Sequence, residues 1–565
     1  MPPPKFLVYP ISKKLFENRE FSNLQTYYPG MGVVCEMKEP PKGDVWLDHK
    51  ERVIEVEEIN DKRSAPLRLT VEQNVGKSGV DVEDVSGFRK ITHLLDPISW
   101  LQGKYTAPKQ SVLPGHKETW GSMNQKLQDP MNQAYIEALA TYSFSRLREG
   151  GYSPHFHKFY GAFCCVAKTY SYNITDSYMS YRHHRWFWDS QEENKFTIGF
   201  EDSEIPEEIR NTVCEKPSDL YESDEDSEEE LNDLKCEEGE TGSLHSANLS
   251  DMKTVADTES ENEEEEEEKE EGSEEDDSEE EDSEEEDSEE EELNIYAEIK
   301  DFPVMCIYTE ASEGTMDDLL DDFEEVGAKP GTTDWEDRWR AWVFQVIAAL
   351  TVGQSVFGFT HNDLHSNNIV WAKTNQPYLY YNTRDGLHFK VPTYGKIFRL
   401  IDFGRAIFRI NKHQFFSDDF RPGNDAAEQF NFGEIYDPNE EEVPPNPSFD
   451  LSRFAVSVFE GIFPSSPPLK KKGSVLSEED GLKMMETESK LYNMMWGWLL
   501  CDDGHNVLME PDGKERYPDF DLYKVITSQV HTAIPSQQVK KAVFEGYVIK
   551  KKAVPEGHKV YSLFC

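Results

Sequence analysis

The stretch FGFTHNDLHSNNIVW, residues 357–371, decides how this chain is read. Within eight residues it sets His361, Asp363, His365, Asn367 and Asn368 between apolar runs. Hydrogen-bonding side chains crowded beside hydrophobic ones either satisfy one another in a core network or surround something bound. A related pattern lies 39 residues beyond Asp363, in LIDFG. There Leu400 and Ile401 read as a buried strand, Asp402 projects from its end, and Gly404 permits a sharp backbone turn. A long helix pattern, DWEDRWRAWVFQVIAALTVG, precedes both.

Transfer of a phosphoryl group to a hydroxyl needs metal ions to neutralise the polyphosphate, a means of aligning the hydroxyl, and a carboxylate to take its proton. Asp363 suits the last role, and Asn368, five residues on, offers a hard neutral oxygen to a metal. Asp402 supplies an anionic ligand from a neighbouring strand. Alone, each piece is common: DFG arises by chance, and a buried Asp–Asn pair is often a satisfied turn. In this order, each after an apolar strand, they resemble the catalytic loop H-R-D-L-x-x-x-N and the D-F-G motif of the protein-kinase-like superfamily. The resemblance implies an α+β, bilobal protein-kinase-like fold with a strand-rich N-lobe and a helical C-lobe. It implies ATP and Mg²⁺ as cofactors, Asp363 as catalytic base, and Asn368 and Asp402 as metal ligands.

The resemblance extends outward. VMCIYTEASEGTMDDLL is similar to the fifth strand and hinge, where backbone groups of Glu310, Ala311 and Ser312 would bind adenine. The helix pattern from Pro130 to Arg148, opened by Asp129–Pro130 and stopped by Gly150–Gly151, resembles the regulatory helix, with Glu137 to pair a lysine. Asp450, in FDLSRFAVSVF, resembles the aspartate that braces the catalytic loop, with a helix N-cap as the plain alternative. The nucleotide lysine falls to Lys90 in GFRKITHLL, which precedes the helix; Lys168 in VAK follows it, out of order. An exposed strand lysine is the plain reading of Lys90. The glycine-rich loop reduces to VGKSGV, with Gly76 and Gly79, which a hairpin turn explains equally well.

Several positions depart from the family pattern. Asn362 stands where many protein kinases carry the arginine that receives a phosphorylated activation loop. His365 replaces the usual lysine, as in small-molecule kinases of the aminoglycoside and choline type and in haspin protein kinases; it either contacts the γ-phosphate or braces the loop. The segment between the motifs extends as a hairpin turning at RDG, and no A-P-E follows DFG. HLLDP after the lysine strand and the long acidic insertion are similar to kinase-like proteins of large DNA viruses.

The formal charge of the 565 residues is −53, but residues 219–292 hold 40 acidic side chains against three lysines, leaving −16 for the rest. That is a mildly acidic protein carrying an acidic, Ser-rich insertion, expected to be disordered over 190–293. Bulk binding of nucleic acid is disfavoured, and basic protein substrates are favoured. Eight scattered cysteines form no C-x-x-C and no zinc spacing, which points to a reducing compartment, an intracellular one (cytoplasm or nucleus, or host cell or virion for a viral protein). The start, MPPPKFLVYP, is unlike a signal peptide, and the apolar run at 341–359 reads as a buried helix rather than a membrane span.

The expected organisation is an N-terminal extension (1–66), an N-lobe (67–310) interrupted by the insertion, a C-lobe (311–500) and a C-terminal extension (501–565). The leading expectation is an ATP- and Mg²⁺-dependent serine/threonine protein kinase. A small-molecule kinase, or a pseudokinase scaffold whose acidic arm recruits basic partners, stands beside it.

Overall fold

The structure is a computed structural model that describes residues 6–10, 19–57, 67–73, 81–105, 112–115, 121–200, 206–218, 220, 293–433, 439, 442–479, 481–510, 514–517 and 520–564. It is a mixed α/β protein with a strand-rich N-terminal region. The chain divides into two compact units: residues 1–96, 105–168 and 303–565 form the first, and residues 97–104 and 169–302 the second.

The first unit is built on an antiparallel sheet. The strands β1 (Phe21–Gln25), β2 (Glu51–Glu57), β3 (Leu67–Gln73), β4 (Asp81–His93), β5 (Phe159–Asn173) and β6 (Ile295–Glu310) lie in the order β1-β5-β6-β4-β3-β2, β5 beyond residue 168 and β6 before residue 303 being part of the second unit. The alternating residues on either side of the GKSG segment do form paired strands, β3 with β4, from Leu67 opposite Gly87 to Gln73 opposite Asp81. HFHKFYGAFCCVAKTYSY, in contrast, is no strand pair but one strand, β5. Its glycine does not turn the chain; a Cβ on Gly161 would meet the Trp46 ring at 3.0 Å, so the residue is small to let that ring pack. Nor does the sheet begin at residue 67. β1 pairs with β5 and β2 with β3, so the N-terminal segment supplies two of its strands.

Helix α1 (Gln133–Glu149) starts three residues later than Pro130, because the Asn132 side chain accepts from the Ala134 N–H and caps it. Nearly every α1 side chain from Ala134 to Leu147 is buried. Helix α2 (Thr333–Phe357) is capped by Thr332 and ends at Gly358, which takes a left-handed conformation (φ 59°). Trp335, Trp339 and Trp342 recur along one face and their rings touch in sequence, with centroids 5.5 and 5.4 Å apart. By length and composition α2 could cross a membrane, but 78% of its apolar stretch is buried inside the protein, as a core helix would be.

After α2, β7 (Ile369–Lys373) pairs antiparallel with the later strand Lys396–Leu400, and residues Gly314–Thr315 add to the β7 edge. Between them β8 (Tyr378–Asn382) and β9 (His388–Pro392) make the expected hairpin, with Arg384–Gly386 at its turn. Lys396–Leu400 is β10. The C-terminal residues are part of this region: Val548–Ile549 pairs with β9 and Val560–Ser562 runs parallel to β8. Helices α3 (Phe449–Ile462) and α4 (Asp521–Gln529) complete the elements used below.

In the second unit, two short helices (Tyr178–Arg182 and Arg185–Glu192) bury Tyr178, Phe187 and Trp188. Strand Phe196–Phe200 pairs with residues 295–299, and a helix spans Glu207–Cys214. The expected disorder from residue 190 is thus corrected: polar composition hid a strand whose partner lies about a hundred residues later. Residues 221–292, the heart of the acidic tract, lie outside the described residues.

Candidate active site

Lys90 lies on β4 opposite Ile307 of β6, with its ammonium between two carboxylates. It is 3.2 Å from Glu137 on α1 and 2.7 Å from Asp402, just beyond β10. Lys168 faces outward on β5. Burial works against the Lys90 charge, but Asp402 and Glu137 outweigh it and hold the ammonium pKa above its usual value. The carboxylates divide by exposure. Glu137, only 5% exposed, is pushed up to about 7 by burial, partly offset by Lys90. Asp402, 45% exposed, feels some burial, but the Lys90 ammonium brings its pKa down to about 2.

These groups line a cavity of about 530 Å³ that also reaches Phe88, Ile307, Glu310, Ala311, Ser312, Val370 and Leu400. Asp402 holds a left-handed backbone (φ 61°), so the turn is carried by the aspartate itself and not by Gly404, which has no positive φ. Phe403 is buried beneath it against Phe144 of α1, with ring centroids 4.8 Å apart.

The polar stretch answers the question raised by its composition with one network. Asp450, wholly buried in the first turn of α3, accepts the His361 N–H on both oxygens (2.9 Å each) and the Asn362 N–H (3.0 Å). It therefore binds the loop and does not cap its own helix. The ring of His361, held neutral by burial, donates from Nε2 to the Ile401 carbonyl at 2.8 Å. The Ile401 N–H donates to the Asn368 carbonyl at 3.0 Å. Both ends of the 361–368 turn are thereby fastened to the residue preceding Asp402.

Asn368 spends its amide nitrogen on the Asp363 carbonyl (2.8 Å) and on His365 Nε2 (3.0 Å). Both N–H donors are then used and Oδ1 is left as the acceptor, the orientation a hard cation requires. His365 thus braces Asn368, and burial keeps its ring neutral so that it can accept. The Asp363 carboxylate accepts from the Tyr523 hydroxyl at 2.7 Å and has the Arg405 guanidinium 3.9 Å from its other oxygen.

At the far wall, Glu310, Ala311 and Ser312 line the cavity, but not as three open backbone groups. The Glu310 N–H donates to the Lys158 carbonyl (3.3 Å) and the Ala311 N–H to Ser86 (3.2 Å). Among the described residues only the Ser312 N–H of the three has no partner. Gly76 and Gly79 lie outside the described residues. Of the strands beside them, Gln73 pairs with Asp81, nine residues along β4 from Lys90, and Leu67 pairs with Gly87, three residues from it.

Sequence reasoning missed a clamp in the segment where A-P-E is absent. Asp418, nearly fully buried, accepts from the Gln133 N–H at the start of α1 (2.9 Å) and from Lys126 (2.5 Å). Asp419 accepts from the Gln133 side-chain amide (2.8 Å) and faces Arg405 at 3.7 Å, while Arg421 pairs with Asp129. Carboxylates at a helix N-terminus interact favourably with its dipole. This docking holds α1, and with it Glu137, in place without a phosphate group. Asn362 fits the same picture, donating from its side chain to the Arg405 carbonyl at 2.9 Å. Phosphatase treatment is therefore expected to leave the thermal midpoint unchanged within about 1 °C, and a large drop would remove the clamp from this role.

A tight turn brings ligand atoms of Cys501, Asp503 and His505 within 4.8 Å of one another. Both His505 nitrogens already have partners there, Asp503 at Nδ1 and the Tyr517 hydroxyl at Nε2 (3.2 Å). No protein-family model matches the chain, and no curated protein matches it.

Proposed function

We propose that this protein is an ATP- and Mg²⁺-dependent phosphotransferase with a bilobal, protein-kinase-like fold, acting on serine or threonine hydroxyls of proteins. The observation that carries the reading is the joining of Lys90, Glu137 and Asp402 by ion pairs at one end of a cavity whose neighbouring turn presents Asp363 and Asn368. The donor set fits the cofactor: a charged carboxylate on Asp402, a free amide oxygen on Asn368, and a cation on Lys90 for phosphate oxygens. Magnesium-bound ATP supplies the phosphoryl group and the charge neutralisation that its transfer requires.

The chain's own residues do the rest. Lys90, held by Glu137, orients polyphosphate. Asp402 and Asn368 hold metal. Asp363 accepts the proton of the attacking hydroxyl through the oxygen that Tyr523 leaves open. A protein acceptor remains favoured over a small metabolite by chain length and by the Asp450-braced loop, and the acidic surface favours basic substrates.

A scaffold reading has one observation in its favour, the strand bonds that already occupy the Glu310 and Ala311 N–H groups. Thermal unfolding with ATP, with and without Mg²⁺, separates the two. Metal-dependent stabilisation is expected, about 2.7 kcal/mol at a nucleotide concentration a hundred times Kd. It should disappear in Asp402→Ala. Absence of any shift in the wild type defeats the enzyme reading.

A further inference from the structure

We propose that Tyr523, on α4 and 160 residues from the catalytic loop, is a positioning residue for Asp363, fixing which carboxylate oxygen is open to the substrate hydroxyl. The inference rests on the phosphotransferase reading. It goes beyond that reading by assigning part of the site to the C-terminal region.

The argument turns on proton polarity. Arg453 Nε lies 3.0 Å from the Tyr523 hydroxyl oxygen, with its guanidinium 5.3 Å from the ring centre. A guanidinium only donates, so the phenol oxygen accepts from Arg453 and must direct its own proton elsewhere. The acceptor it meets is Asp363 Oδ1, at 2.7 Å. The relay therefore runs one way, from Arg453 through Tyr523 to Asp363. It leaves the second oxygen, near Arg405, to take a proton.

Burial raises the phenol pKa, and although Arg453 lowers it, the adjacent Asp363 raises it again, so the donor stays protonated. The ring is not free to swing away. Phe520 stacks on it at 4.9 Å with planes 13° apart, Phe449 of α3 lies 5.7 Å off, and its helix is packed on α3. A ring embedded this way is a fixture of the site and not a displaceable mimic of a substrate.

Two consequences can be measured on the full-length protein with Mg-ATP and histone as acceptor, following ADP release. Tyr523→Phe keeps the ring and its packing but removes the hydroxyl. Its kcat is expected to fall about 10- to 100-fold with the KM for ATP unchanged. Arg453→Met, which frees the hydroxyl to rotate, should lower kcat in the same direction by less, again with the KM for ATP unchanged.

An unchanged kcat in a folded Tyr523→Phe protein, or a fall matched by an equal change in the KM for ATP, overturns the proposal and leaves the enzyme reading intact. A rise in kcat overturns it in favour of an inhibitory contact. If the wild type neither turns over Mg-ATP nor is stabilised by it, the phosphotransferase reading fails and the inference falls with it.

Discussion

Asp363→Ala is expected to lose at least two orders of magnitude in turnover while keeping its affinity for Mg-ATP. General-base contributions are typically about 10²- to 10⁴-fold, and this carboxylate makes no contact with Lys90, Glu137 or Asp402, which shape the nucleotide end of the cavity. The fold should tolerate the change. Asp363 sits at the surface of the loop network and its removed contacts are the Tyr523 hydroxyl and a distant Arg405. The measurement is single-turnover phosphate transfer alongside a nucleotide titration. Retained transfer would take Asp363 out of the chemistry, and lost nucleotide binding would mean that it acts by holding the pocket together.

The second large effect belongs to Asp450. Replacement by Ala strips the His361 and Asn362 N–H groups of their acceptor in a fully buried site, at a cost of about 3–5 kcal/mol of stability and with collapse of activity. Burial pushes the Asp450 carboxyl up to about 7, even though these N–H donors pull the other way. In the unfolded chain it returns to an ordinary value near 4. Between those values the native state holds a proton the unfolded state lacks, so the group's contribution is full below about pH 4 and lost as pH rises through about 7.

Asp450→Asn does not titrate. The stability advantage of the wild type over that variant should therefore grow as pH falls from 7.5 to 5.5. The gain is about 2 kcal/mol at 1.36 kcal/mol per pH unit over the lower part of the range. Urea midpoints measured across the range check it; a flat difference would mean that Asp450 stays ionised throughout.

What could be read beforehand followed the density of local chemistry. Asp363, Asn368 and Asp402 sit in short runs whose polar residues have no business among apolar neighbours unless they are networked. Lys90 was accessible through order along the chain: it lies on the strand before the helix that carries Glu137, and β4 and α1 bring them to 3.2 Å. Two things were hidden for different reasons. Tyr523 reaches Asp363 across 160 residues and leaves no local trace.

Asp418 and Asp419 look like solvated charge until the start of α1 is placed against them. The glycines at 76 and 79, whose composition suits a phosphate loop, lie outside the described residues. Boundaries slipped wherever a cap or a distant strand partner decided them, at Asn132 and at Phe196–Phe200.

The pairing of residues 560–562 with β8, and the seat of α4 beside the catalytic loop, bear on how the protein can be cut for laboratory use. A fragment ending near Leu500 would leave β8 and β9 without their later strand partners and Asp363 without the phenol beside it. Anyone trimming the gene for crystals should keep the tail through Leu563, whose N–H donates to the Asn382 carbonyl.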